Sequence, residues 1–518
     1  MSKNRVFKKI LVGAMALMMT LSSLPMQPLS AYAEEAKAAT TAAEQPSAWA
    51  IEEVGFSYVY QIVADEDLGQ FKQELTREDM LKVLVKLYEV KSKKEIAVDK
   101  AITFKDTSSD VFKKAEKIGL IKVGADRLAN PTQKVEREEL MQMMYNLAKM
   151  IAPESKAKTM EGIKFLDQDK VTAELKDVVE YLVSNGVVNG RKITSGENKG
   201  AQLLDLEGHS QKQEFFVMAK RLYDLVSYEN KEYSKGFLYK VSDENSTVYM
   251  LGSIHIGDAR LFPMSKAIVN GFNNSEYLGV EANIMGDQEG VQYMLSKMVY
   301  TDGTSLKDHV SKDLYDATIK AFAKVNMTEE MVKNYKPWAV YLVLPQLEAM
   351  TAENTSKTSA VAGVDMYLMS KAVASQKPII ELEGMKFQVD LLDGFSDKIQ
   401  TALLEGTVKG MELSEKENKN LSSESIDKML NAWRDGDVKT MSELAATMDG
   451  STAASPEMKE FNTAFLNKRN DHMVEKVKEY LADDEDYFVV VGALHVVGEN
   501  GMVKALEKQG FKVEKITE

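Results

Sequence analysis

The chain contains no cysteine. Disulfides, thiolate zinc sites, iron–sulfur clusters, cysteine nucleophiles and a thioether-linked lipid anchor are excluded together. Histidine is nearly as scarce, with five in 518 residues, so imidazole chemistry has few places to occur. Positive charge is also short. Lys and Arg number 65 against 79 Asp and Glu, a formal net charge of -14. Such a chain lacks the concentrated positive surface that a phosphate backbone requires, so nucleic acid is not an expected partner. Neither a glycine-rich phosphate loop nor a G-x-S-x-G elbow occurs, which argues against nucleotide use and serine hydrolysis. Past the N-terminal segment, no apolar run approaches the roughly 20 residues that a membrane-spanning helix needs.

What is present begins with an address. Lys3, Arg5, Lys8 and Lys9 precede an apolar run from Ile10 to Leu24, and Ala31-Tyr32-Ala33 supplies the small residues of a cleavage site. Residues 1–33 therefore read as a secretory signal peptide. The expected location is secreted, at the cell surface or cell wall of a Gram-positive-type envelope, and not integral to the membrane after cleavage. The tract 34–48, rich in Ala, Thr and Glu, reads as a flexible leader. The remaining length, 44% hydrophobic and 28% charged overall, fits two or more globular domains.

Residues 49–228 repeat one pattern three times. Thr76-Arg77-Glu78-Asp79-Met80, Glu136-Arg137-Glu138-Glu139-Leu140 and Gln211-Lys212-Gln213-Glu214-Phe215 each open an apolar-periodic run, which predicts three amphipathic helices. Between them, Phe104-Lys105-Asp106 and Phe165-Leu166-Asp167 each lead into a helical stretch that ends in glycine and a short apolar turn. The layout resembles S-layer homology modules. That resemblance implies a mainly α-helical triple-repeat domain bound to a secondary cell-wall polysaccharide, with Arg77, Arg137 and Lys212 as the cations facing the polymer. Only the first copy keeps the Thr-Arg pair. The plainer reading is that these residues cap and solvate their helices.

After a mixed polar linker at 229–235, residues 236–518 alternate β-runs with longer helical stretches, which predicts an α/β domain with a central, mainly parallel sheet and flanking helices. Four apolar runs end in chemistry: Val248–Leu251 in Gly252-Ser253-Ile254-His255, Tyr277–Val280 in Glu281, Pro378–Ile380 in Glu381-Leu382-Glu383, and Tyr487–Val491 in Gly492-Ala493-Leu494-His495. In α/β folds ligands bind outside the carboxyl ends of strands. Two histidines and two carboxylates placed there can converge on one site, and the glycines allow sharp turns and close approach.

The ordered motifs Gly252–Gly257 with Leu261-Phe262-Pro263, Glu281, Tyr335-Lys336-Pro337-Trp338, Gly363-Val364-Asp365, Leu382-Glu383 with Gln388, Arg469-Asn470 and Gly492–Gly498 resemble the TraB/GumN family, which includes pheromone-shutdown proteins and Tiki proteases. The resemblance covers 236–518 and implies metal-dependent proteolysis at paired Gly-x-x-His motifs with an acidic residue. His255 and His495 are then the expected metal ligands. Glu281 is a third ligand or the general base, Glu383 an orienter or alternative base, and Arg469 a support for a substrate carboxylate or oxyanion. A nitrogen/oxygen set of this kind suits Mn²⁺, Co²⁺, Zn²⁺ or Fe²⁺. The expected function is a wall-anchored, secreted metal-dependent peptide hydrolase acting on an extracellular peptide or protein. The alternative is a non-catalytic surface protein that captures a peptide pheromone or a haem-like ligand. Elsewhere, Asp365 reads as a helix cap, Lys336-Pro337-Trp338 as a packing element, and His209, His309 and His472 as surface groups.

Overall fold

The computed structural model describes residues 44–351, 363–416, 421–448 and 455–517. The signal segment 1–33, and the leader tract up to residue 43, lie outside them. The described residues divide into two compact units, one ending at Glu232 and the other beginning at Tyr233. No helix among them is long and apolar enough to cross a membrane.

The first unit is mainly helical. Its helices are α1 (Ile51–Val59), α2 (Arg77–Ser92), α3 (Asp110–Lys117), α4 (Arg137–Ile151), α5 (Lys176–Ser184) and α6 (Lys212–Glu229), with a small ribbon of β1 (Arg191–Lys192) and β2 (Gln202–Leu203). Thr76, Glu136 and Gln211 are the caps of α2, α4 and α6. Thr76 and Asp79 cap each other reciprocally, as do Gln211 and Glu214, satisfying donors that a helix start leaves open.

The three helix starts are tied in a ring. Arg77 and Glu78 donate their backbone N–H groups to the carbonyls of Gln133 and Pro131, Arg137 and Glu138 to Gly208 and Leu206, and Lys212 and Gln213 to Gln73 and Phe71. Each acceptor pair lies three and five residues before the cap of the next copy, so copy one leans on two, two on three, and three on one. Asp106 accepts from the N–H groups of Ala129 and Asn130, and Asp167 does the same for Leu204 and Asp205. These aspartates pin equivalent loops ahead of the second and third caps.

The basic residues of the motif are engaged within this ring. Arg77 lies 3.5 Å from Glu139 and Lys212 lies 3.1 Å from Asp79. At the third junction Arg191 takes Glu214 with two N–H donors. Arg137 is 3% exposed, and it donates to the Leu204 carbonyl and the Ser210 hydroxyl.

The second unit is built on a six-stranded mixed sheet. Its strands are β3 (Phe237–Ser242), β4 (Thr247–Ser253), β5 (Tyr277–Val280), β6 (Ile379–Glu381), β7 (Tyr487–Gly492) and β8 (Val513–Ile516), in the order β6-β5-β7-β4-β3-β8. The four runs found in the sequence are the four neighbours β6, β5, β7 and β4, all parallel. The remaining two strands add an antiparallel side. Phe237, Leu251, Leu278, Phe488 and Val489 are fully buried, as expected for strands covered on both faces.

The flanking helices that matter below are α7 (Lys266–Asn274), α8 (Pro337–Thr351), α9 (Val364–Ser375), α10 (Met385–Asp393), α11 (Asp397–Lys416), α12 (Leu421–Asp435) and α13 (Arg469–Leu481), followed by the short α14 (Ala493–Val496). Pro337 opens α8, and the buried Trp338 donates its indole N–H to Asp393 Oδ1 at 3.0 Å, beside Lys336 at 2.6 Å. The Lys-Pro-Trp element is thus a packing device. Trp433 of α12 is also fully buried and donates to the Gly252 carbonyl at 2.6 Å, so that helix is fastened to the end of β4.

A methyl group at Gly252 would lie 2.9 Å from Ala493 Cα and 3.2 Å from its Cβ. Gly252→Ala is therefore expected to lower stability by roughly 1–3 kcal/mol through overpacking. Gly406→Ala, on an exposed face of α11 where a Cβ meets no described atom within 4 Å, should raise it by up to about 1 kcal/mol. Calorimetry of the two variants checks the pair, and equal shifts would contradict the tight contact at Gly252.

Candidate active site

Four strand ends meet at one edge of the sheet because the register puts them there. Ser253 pairs with Gly492, and Val280 pairs with both Val490 and Glu381. His255 follows β4 by two residues, Glu281 follows β5 directly, Glu383 follows β6 by two, and His495 sits on α14 just after β7. Glu281 Oε1 accepts the Gly492 N–H at 2.6 Å. A Cβ on Gly492 would meet Glu281 Oε1 at 3.4 Å, His495 Cδ2 at 3.5 Å and His255 Nε2 at 4.0 Å. The space left by that missing side chain is where the two imidazoles and the carboxylate come together.

A buried ion cluster supports them. Arg469, 3% exposed, donates to Glu281 Oε2 at 2.6 Å and to both oxygens of Glu383 at 2.7 to 3.1 Å. Gln388, from α10, donates to the same two carboxylates at 3.3 and 3.0 Å. A π-helical segment, Thr463–Lys468, runs directly into α13, an irregularity that often marks functional positions. Beyond it the consecutive residues Arg469 and Asn470 both serve the site. Arg469 holds the carboxylates rather than standing open to a substrate.

Each imidazole has its Nδ1 engaged. His255 Nδ1 bonds Asp365 Oδ2 at 2.9 Å, and α9 is brought there by Val364 N–H donating to the Ile254 carbonyl. His495 Nδ1 bonds Asn470 Oδ1 at 2.6 Å. Asp365 is therefore not the helix cap expected from sequence, because Gly363 holds the cap position and the Asp365 side chain turns to His255. Asp365 and Asn470 are the site residues that sequence reasoning missed. Both stand in the quoted motifs, but nothing in their local pattern says which long-range partner they meet.

The environments push the groups apart. The negative Asp365 raises His255 to about 9. Burial lowers His495 to about 4, against the attraction of Glu281. Burial would raise Glu281, but His495, Arg469, His255 and the Gly492 N–H outweigh it and hold the group at about 2. A carboxylate so stabilised is a weak proton acceptor. Glu281 thus suits a role as a fixed negative ligand better than that of general base. Glu383, its side chain fully buried against Arg469 and Gln388, orients its neighbours.

The donor set suits a divalent cation in kind and in charge. Three carboxylates, Glu281, Glu383 and Asp365, stand against the Arg469 guanidinium and the His255 imidazole that Asp365 favours in its protonated form, which leaves the set negative, and Asp365 Oδ1 is buried without a hydrogen-bond partner among the described residues. Both histidines direct Nε2, not Nδ1, toward the common space, with their other nitrogen held by an oxygen as metal-ligating histidines usually are. The placement is looser than that of a formed centre. His495 Nε2 lies 4.0 Å from Glu281 Oε1, and no group of three or more His, Asp or Glu among the described residues stands where it could hold a metal ion as placed.

A parallel sheet core with paired Gly-x-x-His strand ends and an acidic third strand defines a recognisable class. The model of the TraB/PrgY/gumN family matches residues 237–515, more than half of the chain, and the protein belongs to that family. It is similar to the protein YbaP of Escherichia coli K12, which carries the description uncharacterized, with 21% identity over 262 residues, covering 51% of this chain and 88% of that protein. YbaP of Shigella flexneri matches to the same extent.

Other histidines are placed away from this cluster. His209 is exposed in the first unit, as expected. His309 is half-buried and stacked 4.0 Å from Tyr300, and His472 is half-buried with Nε2 at 3.0 Å from the Leu382 carbonyl. The last two are packed groups rather than surface ones.

The depressed values fix the sign of the pH response. His495 and Glu281 bind protons less readily folded than their ordinary values of 6.5 and 4.5 allow, so stability is lost as pH falls. In chelator-treated protein the loss should start below about pH 6.5, with the His495 share complete near pH 4 and the Glu281 share extending toward pH 2. His495→Gln should flatten the upper part of that profile in urea titrations, and should also shorten the lower part, because His495 is one of the groups that hold Glu281 down. An unchanged slope between pH 6.5 and 4 would contradict the burial of a neutral imidazole.

Proposed function

We propose that the C-terminal unit is a metal-dependent peptide hydrolase. The observation that carries this reading is the convergence of His255 Nε2, His495 and Glu281 on the open side of Gly492, in a chain of the TraB/PrgY/gumN family. His255 and His495 would hold the cation through Nε2, and Glu281 would supply the negative third donor. A divalent transition metal such as Mn²⁺, Co²⁺ or Zn²⁺ would there polarise a substrate carbonyl and lower the pKa of a water. The rest is done by side chains of this chain. Arg469 and Gln388 keep Glu281 ionised and aimed. The His255 side chain, 67% exposed and paired through Nδ1 to Asp365, has its ring oriented by that bond, so that Nε2 is the nitrogen it presents to the shared space.

Metal analysis and a peptide library, both on the full-length chain, test the proposal. About one equivalent of transition metal is expected in the wild type and none in a His255→Ala, His495→Ala variant. Cleavage should fall at least roughly 10²-fold in that variant. Peptide retention with neither metal nor cleavage would favour the binding-protein alternative.

We further propose that the protein is secreted and that its N-terminal unit holds it to an anionic wall polysaccharide, in the manner of S-layer homology modules. The support is the cyclic arrangement of three equivalent helix starts, each with a basic residue. Arg77 and Lys212, partly exposed at two junctions, are the contacts with the polymer, whereas the buried Arg137 supports the ring. Co-sedimentation with purified cell walls should be lost in Arg77→Ala, Lys212→Ala protein with its melting temperature nearly kept. Arg137→Ala should instead lower the melting temperature. A wild-type chain that stays in the supernatant ends the anchoring proposal.

A further inference from the structure

The Asn470 amide has only one orientation open to it. Its Nδ2 lies 2.7 Å from the backbone carbonyl of Asn500, and a carbonyl can only accept, so the amino group must face that way. Oδ1 then faces His495 Nδ1 at 2.6 Å. Two acceptors would repel at this distance, so Nδ1 carries the proton. Neutral imidazole has a single N–H, which leaves the lone pair on Nε2. No other hydrogen bond to this ring among the described residues disturbs this, because Glu281 Oε1 at 4.0 Å is beyond hydrogen-bond reach. Both residues are buried, Asn470 at 2% and His495 at 5% exposure, so water does not compete for the arrangement.

We propose that Asn470 is a positioning residue that fixes His495 in the tautomer whose Nε2 lone pair points into the space above Gly492. The inference rests on His495 being a group of the proposed site, but not on which reaction occurs there. The two histidines then present the same atom through chemically different partners. A carboxylate also accepts from His255, whereas the uncharged amide sets the tautomer of His495 without adding a negative charge beside the buried Glu281. The carbonyl of Asn500, in the loop after α14, is the element that chooses the amide's orientation. Arg469 and Asn470 thus divide the work of one helical turn, the first on the carboxylates and the second on the imidazole.

Nitrogen NMR of ¹⁵N-histidine-labelled, chelator-treated full-length protein at neutral pH reads the tautomer directly, with His495→Gln assigning the signals. Wild type is expected to show a protonated Nδ1 and an unprotonated Nε2 at His495. Asn470→Asp keeps an acceptor at the same place and should retain the proton on Nδ1. Asn470→Ala should shift a substantial fraction to the Nε2–H form that free imidazole side chains prefer. A wild-type proton on Nε2, or an unchanged pattern in a folded Asn470→Ala protein, overturns the proposal. The wild-type spectrum decides alone should the alanine variant not fold. Because neither metal nor substrate is present, absence of peptidase activity would leave this result untouched.

Discussion

Arg469 lies between two carboxylates that leave neighbouring strands, Glu281 after β5 and Glu383 after β6. Its guanidinium joins them to α13, and through Glu281 Oε1 the bond continues to the backbone of Gly492 on β7. One side chain thereby links the ends of three strands to a helix. Two carboxylates this buried would repel each other strongly without it, and removing one partner of a buried pair typically costs about 3–5 kcal/mol. The fork geometry matters, because a guanidinium can donate to two acids at once and lysine cannot do so in a plane. The position of Glu281, and therefore the shape of the space it shares with the histidines, follows from this cluster.

The same cluster explains why the two Gly-x-x-His motifs are not equivalent. His495 is enclosed beside Arg469 and takes a neutral partner, and burial keeps it uncharged. His255 is open to solvent and takes Asp365, so it is held charged. Identical short motifs have been given opposite electrostatic settings by residues far away in sequence.

Much of this was legible in the chain. The runs at 248–251, 277–280, 378–380 and 487–491 are apolar on both faces, and that is why they stood out and why they form the parallel centre. The flanking β3 and β8 were not separated from their surroundings, because the edge strand Val513–Ile516 carries Glu514 and Lys515 and reads as polar. The three helix starts were found from the recurrence of polar-basic-x-acid before an apolar stripe. Their ring of backbone hydrogen bonds was not, since backbone donors leave no mark on residue identity. Glu281, Glu383 and the histidines were visible because strand ends announce them. Asp365, with the look of a cap, and Asn470, one step beyond an arginine, have roles set only by tertiary contact. The exposure of His309 and His472 was misjudged for a related reason, as polar neighbours in sequence say little about an aromatic stacked above.

The division of the site into a fixed and an open part follows from the same contacts. Glu281, Glu383, Arg469, Gln388, Asn470 and His495 constrain one another through hydrogen bonds, most of them below 3.1 Å, and they have little freedom to rearrange when a ligand arrives. That is the preorganisation a reacting centre needs. Among the described residues the His255 side chain is held by Asp365, and the other oxygen of that aspartate has no hydrogen-bond partner there. The imidazole can therefore adjust its position at small cost, since few bonds must be broken to move it. A ligand approaching from solvent meets this adaptable group first and the rigid one behind it. The 4.0 Å between His495 Nε2 and Glu281 Oε1 lies within the rigid part, so whatever adjustment a ligand asks of these groups falls first to the exposed His255.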